Sequence, residues 1–565
     1  MSPVVNADHA RLSLSLHSHS KEVQDIDVLI IGAGFAGIFM LHELRKQGYM
    51  VVIYDAASKI GGTWRSNTYP GARVDSETPV YELSFPEIWQ TWNWSCNYPD
   101  WQEIQRYFDH VDAVLDVSKH CVFNTLVTSA EFCEREARWT IVTSTGRVAK
   151  ARFLIGAVGF AAKAYTPEIR GLDSFKGRIY HSSAWPKEGV EVDGKRCAVI
   201  GTGASGVQIA QQWGSENVDT LTVFQRTPNL ALPMAKKDIT VMDQEKLKEW
   251  YPGMFHHREN CYGGLTFDVD ERGTFEVSEG ERLAKYEYLW GKGGLCFWIG
   301  NFNDILTCPK ANRAAYSFWA TKQRARISDA RKRDLLCPLE PKHAFGIKRP
   351  SLESTFYDMF NRPNIDIVDV SNGNDIEFVE TGIRTKGDGK VYEVNIVAMA
   401  TGFDVTGSLT STGIKNTQGI PLATEWASSA TSYLGIMIPK YSNFFYLYGP
   451  HGPIFLANGP SCIEVQGRWI RDVINKIQMQ GIRYIDPTPE AGDEWKRRLK
   501  ELGDETLFST IEGASTYMGT NVAGRRAEYV NYVGGMRKYK EEIRSKIAKG
   551  WDGFRVEYGD EKARM

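Results

Sequence analysis

Val28-Leu29-Ile30-Ile31-Gly32-Ala33-Gly34-Phe35-Ala36-Gly37 is the stretch on which the fold turns. Four apolar residues of strand character run into Gly-x-Gly-x-x-Gly and on into a helix-like segment. The first glycine, Gly32, allows a tight turn. Gly34 admits a pyrophosphate to the backbone, and Gly37 lets helix and strand pack closely. The helix start offers a diphosphate free N–H groups and the positive end of its dipole. The pattern recurs as Ala198-Val199-Ile200-Gly201-Thr202-Gly203-Ala204-Ser205-Gly206. One such motif is a weak signal. Two, each between an apolar strand and a helix, predict an α/β chain with two Rossmann-like dinucleotide-binding domains.

The second strand of each unit indicates which dinucleotide it takes. Met50-Val51-Val52-Ile53-Tyr54 ends in Asp55. A carboxylate there accepts a ribose 2′-OH and repels a 2′-phosphate. Leu221-Thr222-Val223-Phe224 ends instead in Gln225-Arg226-Thr227, with no acid. The first site therefore reads as FAD or NAD and the second as NADPH. The bland alternative for Arg226 is a surface arginine at a strand end.

With 565 residues the chain is long enough for two or three domains with ample cores. A net charge of −2 points to neither nucleic acid nor an anionic membrane. Mean hydropathy is −0.34, and no run is long enough to span a bilayer. Residues 1–24 lack the basic start and apolar core of a secretory signal and read as a flexible N-terminal arm. The nine cysteines include no C-x-x-C pair, which argues against a disulfide scaffold, a metal site of the zinc-ribbon type and a dithiol redox centre. Free thiols fit a cytoplasmic protein.

The first nucleotide unit opens a segment expected to span 25–160, closed by the strand Phe153-Leu154-Ile155 and a crossing at Gly156-Ala157-Val158-Gly159. An NADPH domain is expected over 161–390. It contains a charged, aromatic, mainly helical insertion from about 238 to 336, with helices near 243–250 and 314–335. A second crossing at Ile396-Val397-Ala398-Met399-Ala400 returns the chain to the first domain, so that 391–565 completes it and adds a charged tail. Strands are expected at 365–368 and 444–447, and helices near 463–480 and 536–549.

Phe175-Lys176-Gly177-Arg178-Ile179-Tyr180-His181-Ser182-Ser183-Ala184-Trp185-Pro186 matches F-x-G-x-x-x-H-x-x-x-W-P. It lies between the two nucleotide motifs and resembles the fingerprint of type I Baeyer–Villiger monooxygenases. Gly61-Gly62-Thr63-Trp64 and Tyr69-Pro70-Gly71-Ala72-Arg73-Val74-Asp75 resemble that family's flavin loop. Gln225-Arg226-Thr227-Pro228 resembles its NADPH-selecting turn, and Lys348-Arg349 the segment with its catalytic arginine.

The resemblance implies FAD and NADPH as cofactors. It also implies insertion of one atom of O2 next to a ketone carbonyl, giving an ester or lactone through a C4a-peroxyflavin stabilised by Arg349. Asp75 would pair with Arg349 and lie near the flavin; the alternative is a loop-capping aspartate. FAD contacts would be Gly32, Gly34, Gly37, Asp55, Gly62, Thr63, Trp64, Asp75, Tyr81 and Val127. NADPH contacts would be Thr202, Gly203, Ala204, Ser205, Gly206 and Gln208 for the pyrophosphate, with Arg226, Thr227 and Lys348 for the 2′-phosphate. His181 would be a linker residue and not a proton donor to substrate. Ile436, Met437 and Ile438 would line the substrate site and favour an aliphatic ketone. The chain would be a monomer or weak homo-oligomer.

Three departures from the family pattern stand out. Asp55 replaces the commoner glutamate, Ala157-Val158-Gly159 replaces an Ala-Thr-Gly crossing, and Thr516 stands where a tryptophan is usual. Two other flavoprotein activities remain open at this stage: oxygenation mainly of sulfur or nitrogen, and an uncoupled NADPH oxidase.

Overall fold

The structure, a computed structural model, describes residues 23–371, 375–512, 515, 518–520, 525–548 and 550–559. The N-terminal arm up to residue 22 and the Thr516 departure lie outside the described residues.

The first sheet takes six strands from the N-terminal part: β1 (Gln24–Ile31), β2 (Val51–Tyr54), β3 (Cys121–Val122), β4 (Val127–Cys133), β5 (Arg138–Thr143) and β6 (Val148–Gly156). Their spatial order is β3-β2-β1-β6-β5-β4, with β1 parallel to both β2 and β6. Val28, Leu29 and Ile30 are fully buried. That explains an unbroken apolar run: a central parallel strand is covered on both faces.

The second sheet is wholly parallel. It holds β7 (Arg178–His181), β8 (Arg196–Ile200), β9 (Thr220–Gln225), β10 (Ile365–Asp369) and β11 (Ile396–Met399), in the order β10-β9-β8-β11-β7. β12 (Phe444–Tyr446) then pairs with β6, so the C-terminal part returns to the first sheet. β7 falls inside the fingerprint segment, where no strand was expected. Its pairing with β11 sets His181 against Met399.

Helix α1 (Phe35–Lys46) follows β1, and helix α2 (Ala204–Ser215) follows β8. Their N-caps are Gly34 and Gly203, and neither start is capped by a side chain. A helix start of this kind leaves N–H groups for a ligand.

The stretch 238–336 is largely helical, as expected. The helix expected over 314–335 is two helices, Pro309–Arg324 and Ala330–Leu336. Asp329 ends the continuity, because its carboxylate accepts the Lys332 N–H and starts a new helix. Three short antiparallel strands between 376 and 393 were not foreseen.

Candidate active site

A cavity of about 1250 Å³ runs from the first glycine turn to the second. Gly32, Gly34, Asp55, Gly62, Thr63, Trp64, Asp75, Tyr81 and Val127 line one part. Thr202, Gly203, Ala204, Arg226, Thr227, Lys348 and Arg349 line the rest. Residues from both sheets and both crossings thus line one cavity.

The first cradle is shaped by bare backbone. A Cβ on Gly32 would sit 2.6 Å from the Ala157 carbonyl oxygen, and one on Gly62 would sit 2.9 Å from the Gly34 Cα. Gly32 and Gly62 also have positive φ, +108° and +54°. Asp55 accepts the N–H groups of Ala33 and Ala57, each at 2.6 Å, which aims the carboxylate across the turn. Burial pushes its carboxyl above the ordinary range, while those two N–H groups pull the other way. The Trp64 indole donates to the Tyr81 hydroxyl at 3.0 Å, locking two aromatic walls together. These features fit a flavin dinucleotide: glycine backbone for the diphosphate and a fixed acceptor for the ribose.

The second cradle repeats the device. A Cβ on Gly201 would lie 2.6 Å from the Ala400 carbonyl oxygen. The Thr202 hydroxyl donates to the Thr227 carbonyl at 2.8 Å, tying the glycine turn to the turn after β9. Lys348 is half-buried; burial lowers its ammonium below the usual range and the nearby Arg226 lowers it further. A half-buried ammonium disfavoured by a neighbouring guanidinium is suited to an anion. His343 lines the same cavity, and the sequence reading missed it. Its place beside Lys348 comes from a loop that carries no motif.

Arg349 and Asp75 form a bidentate pair. Nε donates to Oδ2 at 2.6 Å and Nη2 to Oδ1 at 2.9 Å. Nη1 donates to the Phe455 carbonyl at 3.0 Å. The guanidinium carbon stands 5.8 Å from the ring centroid of Trp298, a buried residue of the helical insertion. Phe160, Tyr448, Ile454 and Phe455 form an apolar cluster on the same cavity wall.

His181 belongs to the linkers. The Ser183 N–H donates to Nδ1 at 3.2 Å, so the ring's proton sits on Nε2, facing the Tyr165 carbonyl at 3.3 Å. The Thr401 hydroxyl donates to that same carbonyl at 2.6 Å. The ring therefore joins the two crossings, one after β6 and one after β11. Burial holds its pKa below the usual value.

Several expected contacts lie elsewhere. Gly37 and Gly206 are off the cavity and pack against their own turns. A Cβ would fall 1.9 Å from the Gly32 oxygen and 2.1 Å from the Gly201 oxygen, respectively. Ser205 and Gln208 are also absent from the wall. Gln208 accepts the Tyr69 hydroxyl at 2.8 Å and donates to the Arg73 carbonyl at 3.2 Å, so it secures the flavin-side loop. Ile436, Met437 and Ile438 are almost completely buried in the core, and the substrate-lining role expected of them does not hold. Their apolar run marks core packing.

The pyridine nucleotide-disulphide oxidoreductase family pattern matches residues 26–250. A FAD-binding monooxygenase, acrE, of Aspergillus aculeatus is 45% identical over 98% of this chain and 93% of its own. A Baeyer–Villiger monooxygenase of Pseudooceanicola batsensis is 34% identical over 93% of this chain and 95% of its own. The chain is a type I Baeyer–Villiger monooxygenase. The crystal structure of cyclohexanone monooxygenase from Rhodococcus sp. Phi1 bound to NADP+ superimposes with a TM-score of 0.89 at 34% identity, over 95% of this chain and all of that one. As a Baeyer–Villiger monooxygenase the protein uses FAD and NADPH and inserts one oxygen atom of O2 beside a ketone carbonyl, giving an ester or lactone. The oxidoreductase pattern is shared through the nucleotide folds, since all nine cysteines are free thiols.

Proposed function

We propose that Arg349 is the catalytic residue, that Asp75 orients it, and that the substrate is an apolar, aliphatic ketone. The carrying observation is the bidentate Arg349–Asp75 pair on a cavity wall reached by both glycine cradles. Two parallel contacts fix the plane of a guanidinium as one would not. FAD, when bound and reduced by NADPH, activates O2. Arg349 stays charged throughout and holds negative charge as it develops on the carbonyl oxygen. The cluster of Phe160, Tyr448, Ile454 and Phe455 supports an uncharged substrate. The solved neighbour is named for cyclohexanone, which supports a cyclic member of that class.

On this reading Gly32, Gly34, Asp55, Gly62, Thr63, Trp64, Tyr81 and Val127 hold FAD. Thr202, Gly203 and Ala204 hold the NADPH pyrophosphate, while Arg226, Thr227 and Lys348 hold its 2′-phosphate. Gly37, Gly206, Ser205 and Gln208 act through packing and loop support. The chain divides into an FAD domain of 25–160 and 391–565 and an NADPH domain of 161–390. The free thiols support the cytoplasm as its compartment. Its state is monomer or weak homo-oligomer, which light scattering tests.

The deciding experiment mixes FAD-loaded protein, NADPH and air with linear, cyclic and aryl ketones and one thioether, and identifies products by mass. Lactone or ester in near-stoichiometric yield on NADPH, best with aliphatic ketones, is the expected result. Sulfoxide alone, or hydrogen peroxide alone, would overturn the proposed substrate.

A further inference from the structure

His343 lies on the cavity wall with Arg226, Thr227 and Lys348. Its Nδ1 is 2.9 Å from the Ala344 carbonyl oxygen. The ring also interacts with the carbonyl of Pro228, the residue after Thr227. A neutral imidazole carries one N–H and one lone pair. Set between two carbonyl acceptors, it satisfies one and presents no second donor. An imidazolium has a donor for each. The two carbonyls favour the cation, while burial and Lys348 oppose it.

Without the coenzyme that cation is disfavoured. Burial, reinforced by the Lys348 ammonium, drives the ring down to about 4. Lys348 is itself disfavoured by burial and by Arg226. Of the other charged groups, Lys342 beside it is exposed, and Arg170, Asp375 and Lys386 line the same cavity. Burial and the Lys348 ammonium oppose a positive charge on the ring, so the ring is the group that gives up its proton.

We propose that His343 is a third cation of the 2′-phosphate subsite, neutral while the coenzyme is absent and protonated as the phosphate docks. The inference rests on the reading that Arg226 and Lys348 bind that phosphate. A dianion there cancels the repulsion from Lys348 and adds its own attraction, and both effects favour a proton on the ring. The proton comes from solvent and binds the imidazole nitrogen that lacked one. NADH, with a 2′-hydroxyl, provides no such drive. The histidine then adds to discrimination between the coenzymes without burdening the empty site.

The test is calorimetric titration of FAD-loaded protein at pH 7.5, in two buffers of different ionisation enthalpy, with NADP+ and with NAD+. Uptake of about one proton is expected with NADP+ and none with NAD+. The sign is diagnostic. A phosphate with a second pKa near 6, held by permanent cations alone, releases protons or exchanges none. His343→Gln should abolish the uptake and weaken NADP+ about tenfold, leaving NAD+ binding and FAD content unchanged. Absence of uptake in the wild-type protein overturns the proposal without any variant. Arg226→Ala and Lys348→Ala separate the two readings. If they leave the NADP+/NAD+ affinity ratio unchanged, the subsite itself is wrong. If they lower it while the wild type takes up no proton, only the role of His343 falls.

Discussion

Arg349 spends its donors unequally. The contacts to Asp75 and to the Phe455 carbonyl are 3.0 Å or shorter, whereas those to the Ser76 hydroxyl and the Ala457 carbonyl are 3.4 and 3.5 Å. The long pair lies at the weak end of hydrogen bonding. It is the pair an anionic oxygen can displace without disturbing the fork on Asp75. Arg349→Ala should therefore leave flavin reduction by NADPH near the wild-type rate, seen as bleaching of the flavin band. Ester formation should fall by about 10²–10³ or more, with NADPH oxidation diverted to hydrogen peroxide. Ester output at the wild-type level would remove Arg349 from the mechanism. Arg226 is tested by steady-state kinetics. Arg226→Ala should raise the KM for NADPH by about tenfold or more and leave the KM for NADH nearly unchanged, since only NADPH carries the phosphate. Equal effects on both would deny the phosphate contact.

Each cradle is a strand, a glycine turn and an uncapped helix, and its tightest point is the third glycine. At Gly206 a methyl group would have to occupy space 2.1 Å from the Gly201 oxygen, which belongs to backbone and cannot swing aside. Gly206→Ala should thus push α2 away from β8 and weaken NADP+ at least tenfold, while the purified protein keeps its yellow FAD. Retained NADP+ affinity in a titration would show that the turn can relax. These cradles were legible in the sequence because apolar strand, glycine spacing and terminal Asp55 or Arg226 are all local. So was Arg349 with Asp75, though only through a resemblance, since 274 residues separate them in the chain. Ile436–Ile438 misled because a buried core run and a substrate wall look alike in composition. β7 was hidden because it is four residues long and its residues are exposed or only partly buried, so it shows no apolar pattern. His343 was invisible because its significance comes from what folds beside it.

At the scale of the molecule, the helical insertion bolts the two parts together around the site. Arg258 at its second helix pairs with Glu464 at 2.8 Å, and both side chains are fully buried. Arg258 also donates to the Val80 and Glu82 carbonyls at 2.7 and 3.0 Å, on the loop that follows Asp75. The insertion further supplies Trp298 beneath Arg349. The polar core of this junction has one member that ionisation harms. The Glu82 carboxyl is buried and accepts the Trp94 indole N–H at 2.8 Å. Burial pushes it up to about 8, against the opposing pull of Trp94 and Arg258. The folded protein therefore holds this proton more tightly than the unfolded chain, whose glutamate titrates near 4.5. Its contribution to stability is complete below about pH 4.5 and is lost as pH rises through about 8. Glu82→Gln is neutral at every pH, keeps the shape, and retains an oxygen for Trp94. The variant should melt with the wild type at pH 5 and above it at pH 9, where the difference is on the order of a few kcal/mol. Melting followed by release of FAD fluorescence checks this. A variant that gains nothing at pH 9 would mean that Arg258 and its neighbours keep Glu82 ionised, and the junction would then be an ion network and not a partly protonated one.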